Sequence, residues 1–189
     1  MSPLSPIIRV VLLFVAWIVW IIPAVAPAMR NRERAVRVDE RGRWGIILEG
    51  MGFFMVYTHG PAVWNTDLEA WRAICGAVVA LVAILLFRNA TANLGRQWRI
   101  DAGLNQDHTL VQTGAYRIVR HPIYASMLGM FVAGAFWVGT FPGWPIGLVL
   151  FIIGTEIRVR VEDGLLRERF GERFTEWQRT VPACLPFVR

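Results

Sequence analysis

Five apolar runs, separated by short charged or turn-forming segments, take up most of this 189-residue chain and decide what it can fold into. A helix that crosses a bilayer needs about 20 mostly apolar residues. Residues 7–28 meet that length, with Pro23 and Pro27 near the end of the run. The run 46–63 is interrupted by Glu49 and His59, and 71–87 is a third candidate. The run 123–141 follows Pro122, which suits a first helical turn because its missing N–H would be unpaired there anyway. The last run, 144–157, is short, and the Pro142-Gly143 junction before it predicts a tight antiparallel hairpin. The alternative is four spans, with the fifth run lying partly in the membrane interface.

The charged residues agree with five spans. They make up 18% of the chain, against about a quarter in soluble domains. Arg30, Arg32, Arg34, Arg37, Arg41 and Arg43 fall between the first two runs, while the next connection carries acids and no Arg. Arginines return in 88–120 and in the C-terminal tail, an alternation that the positive-inside rule reads as N-terminus out and C-terminus in. Trp20, Trp44, Trp64, Trp71, Trp137 and Trp144 sit near the ends of the runs, where an aromatic belt belongs. The net charge of +6 is carried between apolar runs, which points to a membrane surface and away from nucleic acid. Cys75 and Cys184 have no Cys/His ligand spacing around them, so no metal site is expected.

The expected fold is therefore all-α and integral to a membrane, one domain over 1–189. Residues 1–87 supply helices one to three. Residues 88–187 form a core with helices four and five and a helical tail, and a cytosolic pocket lies between the 88–121 segment and that tail. The tail starts as a continuation of helix five and is amphipathic, with Leu165, Leu166 and Phe170 at helical spacing. Compact size and an all-Arg basic composition suggest a bacterial inner membrane. Membrane lipids are the expected surroundings, and no obligate protein partner is evident.

Two constellations could carry chemistry. Glu156 and Arg160, and Arg158 and Glu162, are i,i+4 pairs at the end of the fifth run. Ionisable groups at membrane depth are costly and tend to mark a site, but the same spacing also describes a solvated ladder of ion pairs. The second constellation is Arg120-His121-Pro122-Ile123-Tyr124. A helix starting at Pro122 would aim free N–H groups toward an anion, with Arg117 and Arg120 beside it. Tyr116 or Tyr124 could offer a ring face to a sulfonium. The alternative is that these arginines only anchor the helix and His121 only caps it. Glu49, His59, Asn89 and Asn93 are weaker leads; the asparagines could bind a ligand or only backbone.

The segment His108-Thr109-Leu110-Val111-Gln112-Thr113-Gly114-Ala115-Tyr116-Arg117-Ile118-Val119-Arg120-His121-Pro122-Ile123-Tyr124 resembles the signature of isoprenylcysteine carboxyl methyltransferases, and the related phospholipid methyltransferases have a similar one. Arg158-Val159-Arg160-Val161-Glu162-Asp163 resembles that family's Arg-then-paired-acid motif. Phe170-Gly171-Glu172-Arg173-Phe174 and Val181-Pro182-Ala183-Cys184-Leu185-Pro186-Phe187 resemble its ending, and Leu94-Gly95-Arg96-Gln97-Trp98 a weaker upstream element. The departures are Phe174 in place of the usual Tyr and Asp163 in place of a common second Glu.

The resemblance implies a five-helix core and a pocket for S-adenosyl-L-methionine closed by the C-terminal segment. It implies that His108, Leu110, Val111, Gly114, Tyr116, His121, Pro122, Tyr124 and Glu162 line that pocket, with Arg158 and Glu162 nearest the reaction. It implies a lipophilic, lipid-like small-molecule acceptor entering from the bilayer: an isoprenylcysteine carboxylate, or another lipophilic acid, thiol, phenol or lipid headgroup. Two other classes stay open. A membrane reductase of the sterol-reductase type would bind NADPH, and a non-enzymatic scaffold would tolerate loss of His121 and Glu162.

Overall fold

The fold is taken from a computed structural model, which describes residues 6–30, 37–58 and 68–184. His59, Trp64, Arg32, Arg34 and the ending Leu185-Pro186-Phe187 lie outside the described residues. Six helices account for most of the rest: α1 (Pro6–Arg30), α2 (Gly42–Thr58), α3 (Ala70–Leu94), α4 (Pro122–Val138), α5 (Gly143–Phe170) and α6 (Glu172–Thr180). Helix α3 runs well past its apolar stretch. It stops at Gly95, which takes a positive φ of 54° and donates its N–H to Thr91 O, a backbone conformation that costs glycine little. Helix α5 likewise continues through the charged 156–169 segment without a break and ends at Gly171, φ 55°. Helix α6 then starts at once and buries Phe174 and Trp177, one turn apart, against Tyr116 and Ala90.

Helix pairing is set by small residues. Gly45 and Gly52 on α2 face Gly154 and Gly147 on α5 in reverse order, so the two helices run antiparallel at backbone contact. A Cβ on Gly52 would sit 2.6 Å from Gly147 O, and one on Gly154 would sit 2.6 Å from Gly45 O. No other residue fits this seam without pushing the helices apart. Helix α3 packs along α4 in the same antiparallel sense, with Trp137 lying over Gly76 and donating its Nε1–H to Ala73 O at 3.2 Å. Helix α1 closes the bundle: Trp20 stacks on Phe87 at 4.4 Å, and Trp17 donates to the Tyr57 hydroxyl at 3.0 Å. Phe53, Phe131 and Phe151 fill the centre with ring centroids 5.4–5.6 Å apart.

Three expectations are corrected. First, the chain does not show five transmembrane helices. Among the described residues one helical stretch, Ala70–Gln97, is long and apolar enough to cross a membrane by length and composition. Ile7–Pro23, within α1, and Pro122–Val138 are shorter apolar stretches; at about 1.5 Å per residue the 17 residues of α4 reach about 26 Å, short of a hydrocarbon core of about 30 Å. Helix α2 is as short and carries buried Glu49, and α5 turns charged from Glu156 onward. The placement as a multi-pass protein of a bacterial inner membrane, N-terminus out and C-terminus cytosolic, falls with that count, and nothing in the structure speaks for a bacterial origin. Second, the chain is helical but not wholly so: β1 (Arg37–Val38) pairs antiparallel with β2 (Gly103–Leu104). Third, the tight hairpin of α4 and α5 is a minor contact. Each of these helices packs mainly against another partner, α4 on α3 and α5 on α2.

Candidate active site

A cleft opens at the end of the bundle where the first turn of α4 meets the second half of α5, walled by the 94–116 connection and by Trp177 of α6. The seam of glycines brings α2 close enough for Glu49, only 2% exposed, to reach α5. Its Oε2 accepts from Arg158 Nη1 at 3.1 Å and its Oε1 from Thr155 Oγ1 at 3.0 Å. Arg158 donates twice more, through Nε to the Tyr124 hydroxyl at 3.0 Å and through Nη2 to Ile100 O at 2.8 Å, and its guanidinium lies 4.7 Å over the Tyr124 ring. The Tyr124 hydroxyl in turn donates to Glu162 Oε1. Arg158 and Glu162, expected to pair directly as i,i+4 neighbours, therefore meet through Tyr124.

From Glu162 the chain of contacts continues. His121 Nδ1 lies 3.4 Å from Glu162 Oε2, and His121 Nε2 lies 2.8 Å from Asp163 Oδ1. Asp163 also accepts from Arg120 Nη2 at 3.1 Å and from Gln178 Nε2 at 2.9 Å. Burial alone would lower the His121 pKa, but hydrogen bonds to Asp163 and Glu162 outweigh it and push the pKa up to about 9. His121 is then an imidazolium at neutral pH, with both ring nitrogens donating. Burial would raise both carboxyls, yet the same His121 contacts hold Glu162 and Asp163 below the usual range, helped by Arg158 and Arg120 respectively.

The C-terminal segment seals this corner. Arg120 N–H donates to Pro182 O and His121 N–H to Ala183 O, each at 2.8 Å, and Arg120 Nη1 donates to Gln178 O at 3.2 Å and to Val181 O. The backbone N–H groups of Arg120 and His121, just ahead of α4, are thus taken by the chain itself.

Of the residues singled out in the sequence, His108, Leu110, Val111, Tyr116, His121, Tyr124, Arg158 and Glu162 line the cleft together. Gly114 and Pro122 do not. Gly114, at φ 59°, lets the loop lie against α3, where a Cβ would come within 2.5 Å of Asn89 Oδ1. Asn89 accepts from Ala115 N–H at 2.7 Å and Asn93 from Thr113 Oγ1 at 2.8 Å, so these asparagines hold the signature loop. Pro122 is buried at the first position of α4. Glu156 and Arg160 form an exposed ion pair of 2.6 Å outside the cleft.

Sequence reasoning missed several residues of the cleft wall, among them Gln97, Arg99, Asp101 and Trp177. Nor does the sequence show that Glu49 and Asp163 hold the cleft arginines Arg158 and Arg120. A lone acid in an apolar helix was the available signal for Glu49, and it gives no hint of a partner 109 residues away.

The cleft offers what S-adenosylmethionine would need. Apolar and aromatic walls come from Leu94, Leu110, Val111, Tyr116 and Trp177, and both signs of charge are present. Arg120 Nε and His108 Nδ1, on two residues that line it, are buried with no hydrogen-bond partner among the described residues. Buried polar atoms normally find a partner, and a polar ligand would supply one here. Burial, reinforced by Arg169, lowers the His108 pKa and keeps its ring neutral.

Fold and cleft define a helical protein with a polar, aromatic-walled ligand site at one end of its bundle. A family model described as phospholipid methyltransferase matches residues 71–173, and the chain belongs to that family. It is 27% identical over 124 residues to protein-S-isoprenylcysteine O-methyltransferase B of Arabidopsis thaliana, which covers 62% of this chain and 61% of that one. It is 36% identical over 90 residues to the protein-S-isoprenylcysteine O-methyltransferase of Saccharomyces cerevisiae, covering 43% of this chain and 34% of that one. The chain thus spans about three-fifths or less of these curated relatives. The structure of the eukaryotic intramembrane Ras methyltransferase ICMT shares the fold, with a TM-score of 0.57 and 22% identity over 76% of this chain and 51% of that one.

Proposed function

We propose that the chain transfers a methyl group from S-adenosylmethionine to a lipophilic acceptor, with an isoprenylcysteine-like carboxylate as the first candidate. The observation that carries this reading is the convergence of His108, Leu110, Val111, Tyr116, His121, Tyr124 and Glu162 on one cleft beside Arg158, in a member of a methyltransferase family. The cofactor, when bound, supplies a methyl group already activated on a sulfonium.

What remains for the protein is alignment and exclusion of water. The Tyr116 and Tyr124 rings and the Glu162 carboxylate suit a cationic ligand centre. Glu162 is held ionised by His121 and Tyr124, so it serves as an orienting anion more readily than as a proton acceptor. Arg158 is the cation best placed to orient an acceptor, and an acceptor that is already an anion needs no base. In this reading His108, Leu110 and Val111 hold the cofactor, while Gly114 and Pro122 shape the loop and helix that carry them.

Calorimetric binding of S-adenosylhomocysteine to the detergent-purified protein tests the cofactor assignment. Micromolar binding, weakened at least about tenfold by His121→Ala and by Glu162→Ala, is expected, because each removes a buried charged partner. A folded wild-type protein that ignores S-adenosylhomocysteine and binds NADPH would overturn the assignment in favour of a reductase.

A further inference from the structure

Glu49 lies ahead of the residues matched by the family model, on a helix that contributes no residue to the cleft wall. It is nonetheless the one carboxylate within ion-pair distance of Arg158 among the described residues. We propose that Glu49 is a positioning residue that fixes the Arg158 guanidinium in the cleft across the glycine seam of α2 and α5. The inference rests on the methyl-transfer reading above for its functional consequence, but its structural content stands on geometry alone.

Three features make the contact a device and not an accident of packing. Both Glu49 oxygens are used, one by Arg158 and one by Thr155, three residues earlier on the same helix. That two-point grip fixes the carboxylate plane against α5. Arg158 is held from three directions by elements distant in sequence: Glu49 on α2, Tyr124 on α4 and Ile100 O in the connection. Such a guanidinium has lost its side-chain freedom before any ligand arrives, so little of it remains to be lost when an acceptor is aligned. Finally, the grip exists only because the seam is bare. A Cβ on Gly45 would run into Arg158 Cγ, and one on Gly154 would come within 2.9 Å of Glu49 N. Glycine at both positions lets residue 49 approach residues 155 and 158.

The charge matters as well as the shape. An isolated buried guanidinium would be strongly destabilising, and Glu49 compensates it without occupying the cleft. Glu162, which does line the cleft, is then left to His121, Tyr124 and a ligand.

The test uses the full chain in detergent micelles, with 15N-labelled arginine and Arg158 assigned by Arg158→Lys. The wild type should show separately resolved Nη signals for Arg158, which require restricted rotation of the guanidinium. Glu49→Gln, which keeps the size and the Thr155 bond but removes the charge, should collapse them. In parallel, S-adenosylhomocysteine affinity should stay within about twofold, since no cofactor-facing group changes. With N-acetyl-S-farnesylcysteine as probe, kcat should fall about tenfold or more at unchanged KM for S-adenosylmethionine. Should Glu49→Gln fail to fold, Glu49→Asp, which keeps the charge but shortens its reach, is read in the same way.

Averaged Arg158 signals in the wild type, or resolved ones that survive both substitutions, would overturn the proposal. So would a KM and kcat that worsen together in proportion to a loss of melting temperature, the pattern of a loosened bundle. Collapse of the signals with cofactor binding intact but no turnover of the probe by the wild type would support the positioning role and count against the isoprenylcysteine acceptor alone.

Discussion

Asp163 and Glu49 are both buried acids, and each holds an arginine that lines the cleft, yet they do different jobs. Asp163 sits on α5 and gathers Arg120, His121 and Gln178, which belong to the start of α4 and to α6. It ties the C-terminal segment to the core, and its loss would loosen the architecture around the cleft. Glu49 gathers Arg158 and Thr155, both on α5, which is already packed against its own helix by the glycine seam. Its removal leaves the seam in place and changes mainly where one guanidinium points. The difference teaches that burial and charge alone do not rank acids by function; what matters is whether the partners are also held by something else.

The largest break in this comparison should come from Asp163→Ala. Arg120 and His121 would be left buried without their shared anion, and stability should fall by about 3–5 kcal/mol, read by thermal or denaturant unfolding in detergent. A loss below that of Glu49→Gln would reverse the ranking. The next effect is pH-dependent. The His121 pKa is raised on folding from 6.5 to about 9, so its charged contacts stabilise the fold fully below about pH 6.5. That contribution, on the order of 3 kcal/mol, is lost as pH rises through 9. Melting temperature measured from pH 6 to 10 should therefore decline between about pH 6.5 and 9 and level off above that, and His121→Gln should flatten the decline. The smallest effect should come from Thr155→Val, which keeps the shape but removes one hydrogen bond to Glu49. A loss of about 1 kcal/mol is expected, with S-adenosylhomocysteine affinity unchanged in calorimetry.

Much of the cleft could be read in the sequence because its residues sit on one continuous stretch. His108, Leu110, Val111, Tyr116, His121 and Tyr124 fall within 17 positions, and the resemblance that connects them also reaches Glu162. The tail was legible too, since Leu165 is buried and Leu166 and Phe170 are half-buried where helical spacing placed them. Gly114 and Pro122 belong to the same motif but shape backbone and do not touch the cleft, a distinction that residue spacing does not carry. Glu49 was hard to place because its partner is remote and the seam that joins them depends on glycines scattered along two helices. The count of spans failed for a different reason. Hydropathy registers apolar residues, whereas a span also demands unbroken helical length free of buried charge, and α2 and α5 fall short in that respect. A two-residue strand pair such as β1 and β2 is below any periodicity that alternation could reveal.

The pairing of Arg120 and His121 with Pro182 and Ala183 has a consequence for how the protein is made. A ribosome delivers the first four helices long before it delivers residue 183. Until then the backbone N–H groups of residues 120 and 121 lack these partners, and the corner that holds His121 stays open to water. The bundle can assemble as it is synthesised, but the corner that holds His121 is closed only once residues 182 and 183 have been made.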